Sequence, residues 1–215
     1  MTPKPDRPSI TPTPPTDPRQ ADAWRGEALR FLQTQLRDRA PTVLDGPWVF
    51  DVSPLEGEGP TVLFQFRMAL ADRPAEPHWV AVGRTEPNYY PGSGFDVETA
   101  YALHLGTRFM LTMGIGIARA ERCVGLDPAA AVRLHVDRVA PSAPIEEARV
   151  AAAFELDDQL HAVIACRIGE QAAYVFAADA PPGFSTQVAL PPHLAYRIHL
   201  GRVLLSEPTP DEGEE

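Results

Sequence analysis

The residues whose types could do chemistry are concentrated in one loop and in the helix predicted to follow it. Residues 85–96 read TEPNYYPGSGFD, and Asp96 is the expected N-cap of a helix beginning at Val97. A helix N-terminus presents unpaired backbone N–H groups and a partial positive charge, so it can bind an anion. The candidate ligand- or partner-binding residues are Tyr89, Tyr90, Ser93, Asp96 and His104. A purely structural turn is the favoured alternative, ahead of a partner-binding loop and a catalytic loop.

None of these residues forms a recognised catalytic signature. The GSG at 92–94 is neither a phosphate-binding glycine motif nor the GxSxG nucleophile elbow. His104 and His199 have no histidine or carboxylate four residues later, which excludes a helical zinc motif and favours a core or interhelical position. The other candidate bases are expected to be solvated histidines on strands: His78, His135 and His161. We therefore predict no catalytic residue, no metal site and no cofactor.

The charge balance narrows the range of partners. The chain has 19 Lys and Arg against 29 Asp and Glu, a formal charge of -10, and no basic cluster. Nucleic acid and anionic membranes are therefore not expected as partners. The longest apolar run, 109–118, is about half the length needed to cross a bilayer, and the N-terminus lacks the apolar run of a secretory signal. We expect a cytoplasmic protein whose Cys123 and Cys166 are buried, reduced thiols.

The spacing of apolar residues predicts the helices and strands that position the candidate residues. Helices are predicted from Asp17-Pro18 to about Arg39, over 97–113 and over 193–205. Strands are predicted at 48–52, 61–70, 78–84, 132–137, 150–156, 160–168 and 172–178. The order α-βββ-α-ββββ-α indicates an α+β fold with mainly antiparallel sheet. We expect one domain over 17–206, between a disordered Pro/Thr-rich tail at 1–16 and an acidic disordered tail at 207–215.

The two later helices share a sequence pattern that indicates an internal repeat. AYALHLGTRFML at 100–111 and AYRIHLGRVLL at 195–205 begin 95 residues apart, and the aromatic strand residues Trp79 and Tyr174 have the same separation. The pattern indicates a duplicated βββα unit, with halves at about 42–118 and 130–206; chance similarity is the alternative. The loop at 85–96 has an equivalent 95 residues later, in the second half. If one of the two loops recognises a partner, the loop at 85–96 is favoured, because it contains polar and aromatic residues that the later loop lacks.

The favoured function is that of a non-enzymatic adaptor or chaperone-like protein acting through protein–protein contacts. Another protein is the expected partner, and a homodimer is compatible with the sequence. In element order alone the chain resembles small secretion chaperones and roadblock-like adaptors, and no family is assigned. The alternative is a small-ligand-binding protein or hydrolase-type enzyme that uses the 85–96 loop and the following helix N-terminus.

The strand at 61–70 gives the first testable prediction, because its apolar residues alternate on one face: Val62, Phe64, Phe66, Met68 and Leu70. Phe66→Ala should lower the free energy of unfolding by about 3 to 5 kcal/mol, whereas Gln65→Ala should leave it nearly unchanged. Urea denaturation of the two variants measures both effects. Equal losses would show that the wrong face was assigned.

Overall fold

A computed structural model describes residues 18–52, 61–71, 73–82, 88–90, 94–139, 142–156, 158–177, 183–185 and 190–206. The predicted tails at 1–16 and 207–215 and the candidate Ser93 lie outside these residues. The chain divides into two compact units, Met1–Tyr101 with Pro208–Glu215, and Ala102–Glu207. Each unit is described by itself below.

The described residues form four helices, nine strands and two short 3-10 turns. The helices are α1 (Pro18–Gln35), α2 (Val97–Met113), α3 (Pro128–Val139) and α4 (Pro192–Ser206). The strands are β1 (Thr42–Val52), β2 (Thr61–Leu70), β3 (Arg73–Val82), β4 (Asn88–Tyr90), β5 (Gly116–Ala118), β6 (Ile145–Leu156), β7 (Gln159–Ile168), β8 (Gln171–Ala177) and β9 (Gly183–Ser185). The 3-10 turns are Arg37–Arg39 and Ala120–Arg122. The sheets have the orders β1-β2-β3-β4 and β5-β6-β7-β8-β9, and every pairing is antiparallel. The predicted α+β class with antiparallel sheets is confirmed.

In the first unit, α1 covers one face of the four-stranded sheet. Ala28, Leu32 and Leu36 recur every fourth residue along the helix, so they form one apolar stripe. This stripe packs with the alternate residues of β2 and β3: Val62, Phe64, Phe66, Met68, Leu70, Val80 and Val82. Phe64 and Phe66 are fully buried, which confirms the face predicted for β2. Leu63 and Trp79, on the opposite face of the sheet, are buried as well.

In the second unit, helices cover both faces of the five-stranded sheet. On one face, Val132 and Val136 of α3 pack with Ile164 and Val175. On the other face, Ala195 and Tyr196 of α4 pack with a second set of buried residues: Met110, Phe154, Val163, Tyr174 and Phe176. The rings of Tyr196 and Phe154 stack with centroids 3.9 Å apart and planes 11° from parallel. Three of the largest fully buried side chains of this unit, Phe154, Ile164 and Tyr196, lie in these two layers.

The segment predicted as a strand at 132–137 is instead part of α3. Val132, Leu134 and Val136 alternate with polar residues, but Leu134 is 73% exposed while the two valines are buried. Burial at every fourth residue is the helical pattern. The Asp127 carboxylate also accepts the backbone N–H groups of Ala129 and Ala130, and Pro128 occupies the first helical position, so the helix is capped where it begins.

Other predicted bounds need smaller corrections. Strand β3 begins at Arg73, before the predicted His78, and the predicted 85–96 loop contains the short strand β4. Strands β4, β5 and β9 have three residues each and were not predicted. Their conformation depends on hydrogen bonding to a longer neighbouring strand, which a single short segment does not encode.

Several pairings and hydrogen bonds of the first half recur 95 residues later in the second half. Trp79 pairs with Tyr90, and Tyr174 pairs with Ser185, so both strand registers coincide at the offset of 95. The Trp79 indole N–H donates to the carbonyl oxygen of Phe95 at 3.3 Å, and the Tyr174 hydroxyl donates to that of Leu190 at 3.0 Å. Because α1 and α3 precede the equivalent strands, the repeated order is helix, three long strands, one short strand and helix.

Helices α2 and α4 contact each other through a reciprocal pair of glycines. A Cβ placed on Gly106 would overlap the backbone carbonyl of Arg197, and one placed on Gly201 would overlap that of Ala102. The two contacts are related by the same offset of 95, which gives the helix pair a local two-fold symmetry. Only residues without a side chain allow the two backbones to approach this closely.

We predict that Gly106→Ala and Gly201→Ala each lower stability by about 1 to 3 kcal/mol, because the added methyl group has no space. Gly26→Ala in α1 is the matched control, since nothing lies within 4 Å of a Cβ at that position. It should leave stability unchanged or raise it by up to about 1 kcal/mol through helix propensity. Thermal unfolding of the three variants measures this, and destabilisation of the same size at Gly26 would contradict it.

Candidate functional site

The two tyrosines of the predicted site lie side by side on β4 and face opposite sides of the sheet. Tyr90 is 4% exposed and pairs in register with the buried Trp79. Tyr89 is half-buried and pairs with Val80, on the face covered by α1. Tyr90 therefore belongs to the core, and Tyr89 is the one of the pair whose ring reaches the surface.

Asp96 and His104 both belong to the segment that forms α2, Asp96 just before its first residue and His104 within it. The exposed Asp96 carboxylate accepts the backbone N–H of Thr99 at 2.7 Å, which confirms Asp96 as the N-cap of α2. His104 is 4% exposed and lies eight residues further along the helix, about 12 Å at 1.5 Å per residue. Among the candidate residues that the structure describes, Asp96 caps the helix and His104 is buried within it.

The structure reveals a hydrogen-bonded pair that the sequence analysis missed. His78 was expected to be solvated at a strand end, but it lies within β3 and is 1% exposed. Its Nδ1 atom is 2.6 Å from the Tyr89 hydroxyl, and the two rings are 11° from parallel. Its Nε2 atom is 3.9 Å from a carboxylate oxygen of Glu76. The distance between the imidazole and the phenol is short enough for a proton to pass between them, whereas the carboxylate lies beyond hydrogen-bonding distance of the ring. The sequence could have indicated this burial, because residues two apart in a strand lie on the same face of the sheet and His78 therefore shares a face with Val80.

A second group of histidines is buried against aromatic rings of the second unit. His199 stacks on Phe176 with centroids 4.3 Å apart, and His161 meets the Tyr196 ring at 70°. His161 was expected to be solvated, but it is 8% exposed. His135 was also expected to be solvated, but it lies half-buried on α3.

Burial keeps His104 of α2 and His199 of α4 uncharged. Desolvation, followed by the charge of Arg108, lowers the pKa of His104 to about 4. Desolvation also lowers the pKa of His199 to about 4, with smaller contributions from Arg202 and His161. Both side chains are therefore neutral at pH 7, as expected for the core histidines that the sequence predicted.

The two cysteines are free thiols. Cys166 is buried on β7, as predicted, whereas Cys123 is half-buried and follows the second 3-10 turn. Burial raises the pKa of both thiols, which keeps them protonated and poorly nucleophilic. Within the described parts of the chain, no three His, Cys, Asp or Glu side chains are grouped in a way that could hold a metal ion. No helix in those parts is long and apolar enough to cross a membrane.

Large apolar side chains are exposed on β1, the outermost strand of the first sheet, and on α2, β5 and the loop after β5 in the second unit. We call the first set the β1 apolar edge: Val43, Leu44 and Trp48, which are 42%, 55% and 43% exposed. We call the second set the β5 apolar surface: Leu111, Met113, Ile117, Val124 and Leu126, of which Ile117 is 62% exposed. The sequence analysis did not identify either set, because sheet order, which decides which strands are outermost, is not encoded in any single segment.

Comparisons with models of protein families, with characterised proteins and with solved structures find no significant match to this chain.

The buried histidines predict acid destabilisation. A histidine whose pKa falls from 6.5 in the unfolded chain to about 4 in the fold stabilises the protein above pH 6.5. That contribution, about 3 kcal/mol per histidine at most, is lost as the pH falls toward 4. The melting temperature should therefore drop between pH 7 and pH 5, where most carboxylates are still ionised.

The double variant His104→Leu/His199→Phe tests the assignment, because it removes the two histidines whose pKa falls furthest and keeps an aromatic ring against Phe176. His193, whose pKa is also lowered by desolvation, remains and leaves a smaller pH dependence. The melting temperature of the double variant should change much less over the same pH range. A double variant with the full pH dependence of the wild type would show that other groups cause it.

Proposed function

We propose that this chain is a non-enzymatic adaptor or chaperone-like protein that acts through protein–protein contacts. The observation that carries the proposal is the β1 apolar edge, where three large apolar side chains within six residues are each more than two-fifths exposed. Apolar side chains grouped at the surface mark interaction sites, because a partner can remove them from water. Burying these side chains in a complex would be favourable at about 25 cal/mol per Å².

Trp48 is the expected anchor of the contact. Tryptophan is enriched among the residues that dominate binding energy, and its indole offers a large, rigid surface. In the register of β1 and β2, Trp48 lies opposite Gln65, and Asp45 lies opposite the exposed Arg67. Polar residues beside an apolar anchor are the usual composition of an interface rim. This surface therefore suits a partner with an apolar side chain or helix face at its centre.

The edge of β1 is poorly suited to pairing with another strand. Pro47 lacks a backbone N–H, Asp45 carries a charge, and the register of β1 with β2 shifts twice between Val43 and Trp48. Proline, charge and bulges are the devices that keep edge strands from pairing. The proposed partner is therefore held by side-chain contacts with Val43, Leu44 and Trp48, and not by backbone hydrogen bonds.

A second candidate function is supported by the His78–Tyr89 pair. The hydrogen bond of 2.6 Å between the imidazole and the half-buried phenol would allow Tyr89 to exchange a proton with a small ligand. This is the small-ligand-binding or hydrolase-type alternative, with Tyr89 of the 85–96 loop as the reacting group. Tyr89→Phe would abolish such an activity and leave contacts at Trp48 unchanged.

Photo-crosslinking in native-host cells tests the adaptor proposal. A photo-reactive phenylalanine at position 48 should form adducts with a specific protein, and the same residue at the exposed Gln33 of α1 should not. Adding Leu44→Ser should reduce the adducts at position 48 severalfold without unfolding the protein, because Leu44 is largely exposed. Equal adducts at positions 48 and 33, or adducts insensitive to Leu44→Ser, would contradict the proposal.

A further inference from the structure

We propose that Tyr89 is a nucleophile that accepts the acyl group of an uncharged aryl ester, with His78 as the base that takes its proton. The inference rests on the small-ligand-binding or hydrolase-type alternative, and it names the substrate class and the reaction of that same site. It is independent of the β1 apolar edge. The three residues that carry it, Glu76, His78 and Tyr89, lie on β3 and β4 of the first unit.

The first support is the hydrogen bond between the phenol and the imidazole. The Tyr89 hydroxyl lies 2.6 Å from Nδ1 of His78, and the two rings are 11° from parallel. A base within hydrogen-bonding distance is what activates a hydroxyl group as a nucleophile. A phenol also loses its proton more readily than the hydroxyl of a serine. The pair therefore has the two parts that a nucleophilic hydroxyl needs.

The second support is the carboxylate on the far side of the imidazole. An oxygen of Glu76 lies 3.9 Å from Nε2 of His78, beyond hydrogen-bonding distance but close enough for its charge to act on the ring. This charge favours the tautomer with its hydrogen on Nε2, which leaves Nδ1 to accept the hydrogen bond that Tyr89 donates. It also stabilises the positive charge that His78 acquires with the proton. Glu76 is therefore a positioning residue for the base.

The third support is the difference in exposure between the two rings. His78 is 1% exposed, so water has little access to its Nδ1 atom and the Tyr89 hydroxyl is the group it deprotonates. Tyr89 is half-buried on β4, which is the outermost strand of the first sheet among the described residues. A small molecule can therefore approach the phenol from solvent while the base stays sheltered.

The surroundings of the pair favour an uncharged substrate. Tyr89 packs against the apolar cluster formed by α1, β2 and β3, which suits an apolar group. The Glu76 carboxylate and the formal charge of -10 repel anions. An aryl ester has the leaving group that the reaction needs, because a phenol more acidic than tyrosine departs more readily than the Tyr89 oxygen.

The reaction balances without a further reagent. The Tyr89 proton moves to Nδ1 of His78 as the phenolic oxygen forms a bond to the carbonyl carbon of the ester. The bond between that carbon and the aryl oxygen then breaks, and the aryl oxygen leaves with the electron pair and takes the proton from His78. The products are acyl-Tyr89 and a free phenol. Water then hydrolyses acyl-Tyr89 to a carboxylic acid, with His78 carrying a proton from the water to the Tyr89 oxygen.

The full chain mixed with p-nitrophenyl acetate tests the inference. It should release about one p-nitrophenol per chain in a rapid burst, because acylation of Tyr89 is faster than hydrolysis of the acyl-tyrosine. Mass spectrometry of peptide fragments should locate the acetyl group on Tyr89. Tyr90, which is buried at the next position, should carry none.

Three variants and one control separate the roles of the residues. Tyr89→Phe removes one oxygen atom and should abolish the burst. His78→Phe keeps a ring beside Tyr89 and should slow the burst by about a hundredfold or more. Glu76→Gln should slow it less and leave its size unchanged, because the nucleophile and the base both remain. Tyr101→Phe is the matched control, since Tyr101 is a buried tyrosine of α2 and should not affect the burst.

Thermal unfolding of each variant shows whether it is folded, and Tyr89→Phe, the smallest change, decides the outcome if His78→Phe is not. No burst in the wild type, a burst that survives Tyr89→Phe, or an unchanged burst rate in a folded His78→Phe would each overturn the inference. An unchanged rate in Glu76→Gln would overturn the role assigned to Glu76.

The same experiment separates this inference from the proposed functions. Release of p-nitrophenol that requires Tyr89 but leaves no acetyl group on it would overturn nucleophilic attack, while the proton exchange of the second candidate function would stand. None of these results affects crosslinking at position 48, so the adaptor proposal is tested independently.

Discussion

In each half, a buried aromatic residue of the third long strand donates a hydrogen bond to the backbone just before the last helix. Trp79 donates to Phe95 and Tyr174 to Leu190, the residues just before Asp96 and Pro191, whose carbonyls accept the first helical N–H groups. Both donors are buried, at 1% and 6% exposure, so leaving either unpaired would cost about 1 to 3 kcal/mol. These bonds fix the position of the residue that precedes the first carbonyl of α2 and of α4.

Strong local signals made part of this fold predictable. The bounds of β2 follow from the alternation of apolar and polar residues along the strand. The bounds of α2 follow from the Asp96 cap at its start and from the glycines after Met113. The apolar residues at 132–136 fit the spacing of a strand and also that of a helix. The Asp-Pro sequence that marks a helix start decides between the two. It was used at Asp17-Pro18 to predict α1 but was overlooked at Asp127-Pro128. The strands β4, β5 and β9 are too short for any period, since only pairing with a neighbour defines them.

Prediction of the site was limited by the same dependence on tertiary pairing. The sequence identified Tyr89 but not its partner His78, because the strand start was placed five residues late. Tyr90 and His104, both chosen for their chemistry, are buried. The long strands of the two halves have equivalent registers, but the outermost strands of the two sheets differ. The first sheet ends in β1, which contains a proline and a charged residue. The second sheet ends in β5, which contains neither. The contact with another protein that we propose lies at the edge formed by β1.

The Trp79 indole offers the most direct test of the anchoring bond. In a ¹⁵N-labelled sample the exchange of indole hydrogens with D₂O can be followed for all three tryptophans in one series of NMR spectra. The Trp79 hydrogen should exchange as slowly as the most protected backbone amides of β2, while that of Trp48, which is 43% exposed, should exchange before the first spectrum. If the Trp79 hydrogen exchanged as fast as that of Trp48, the proposed anchoring of α2 would be wrong.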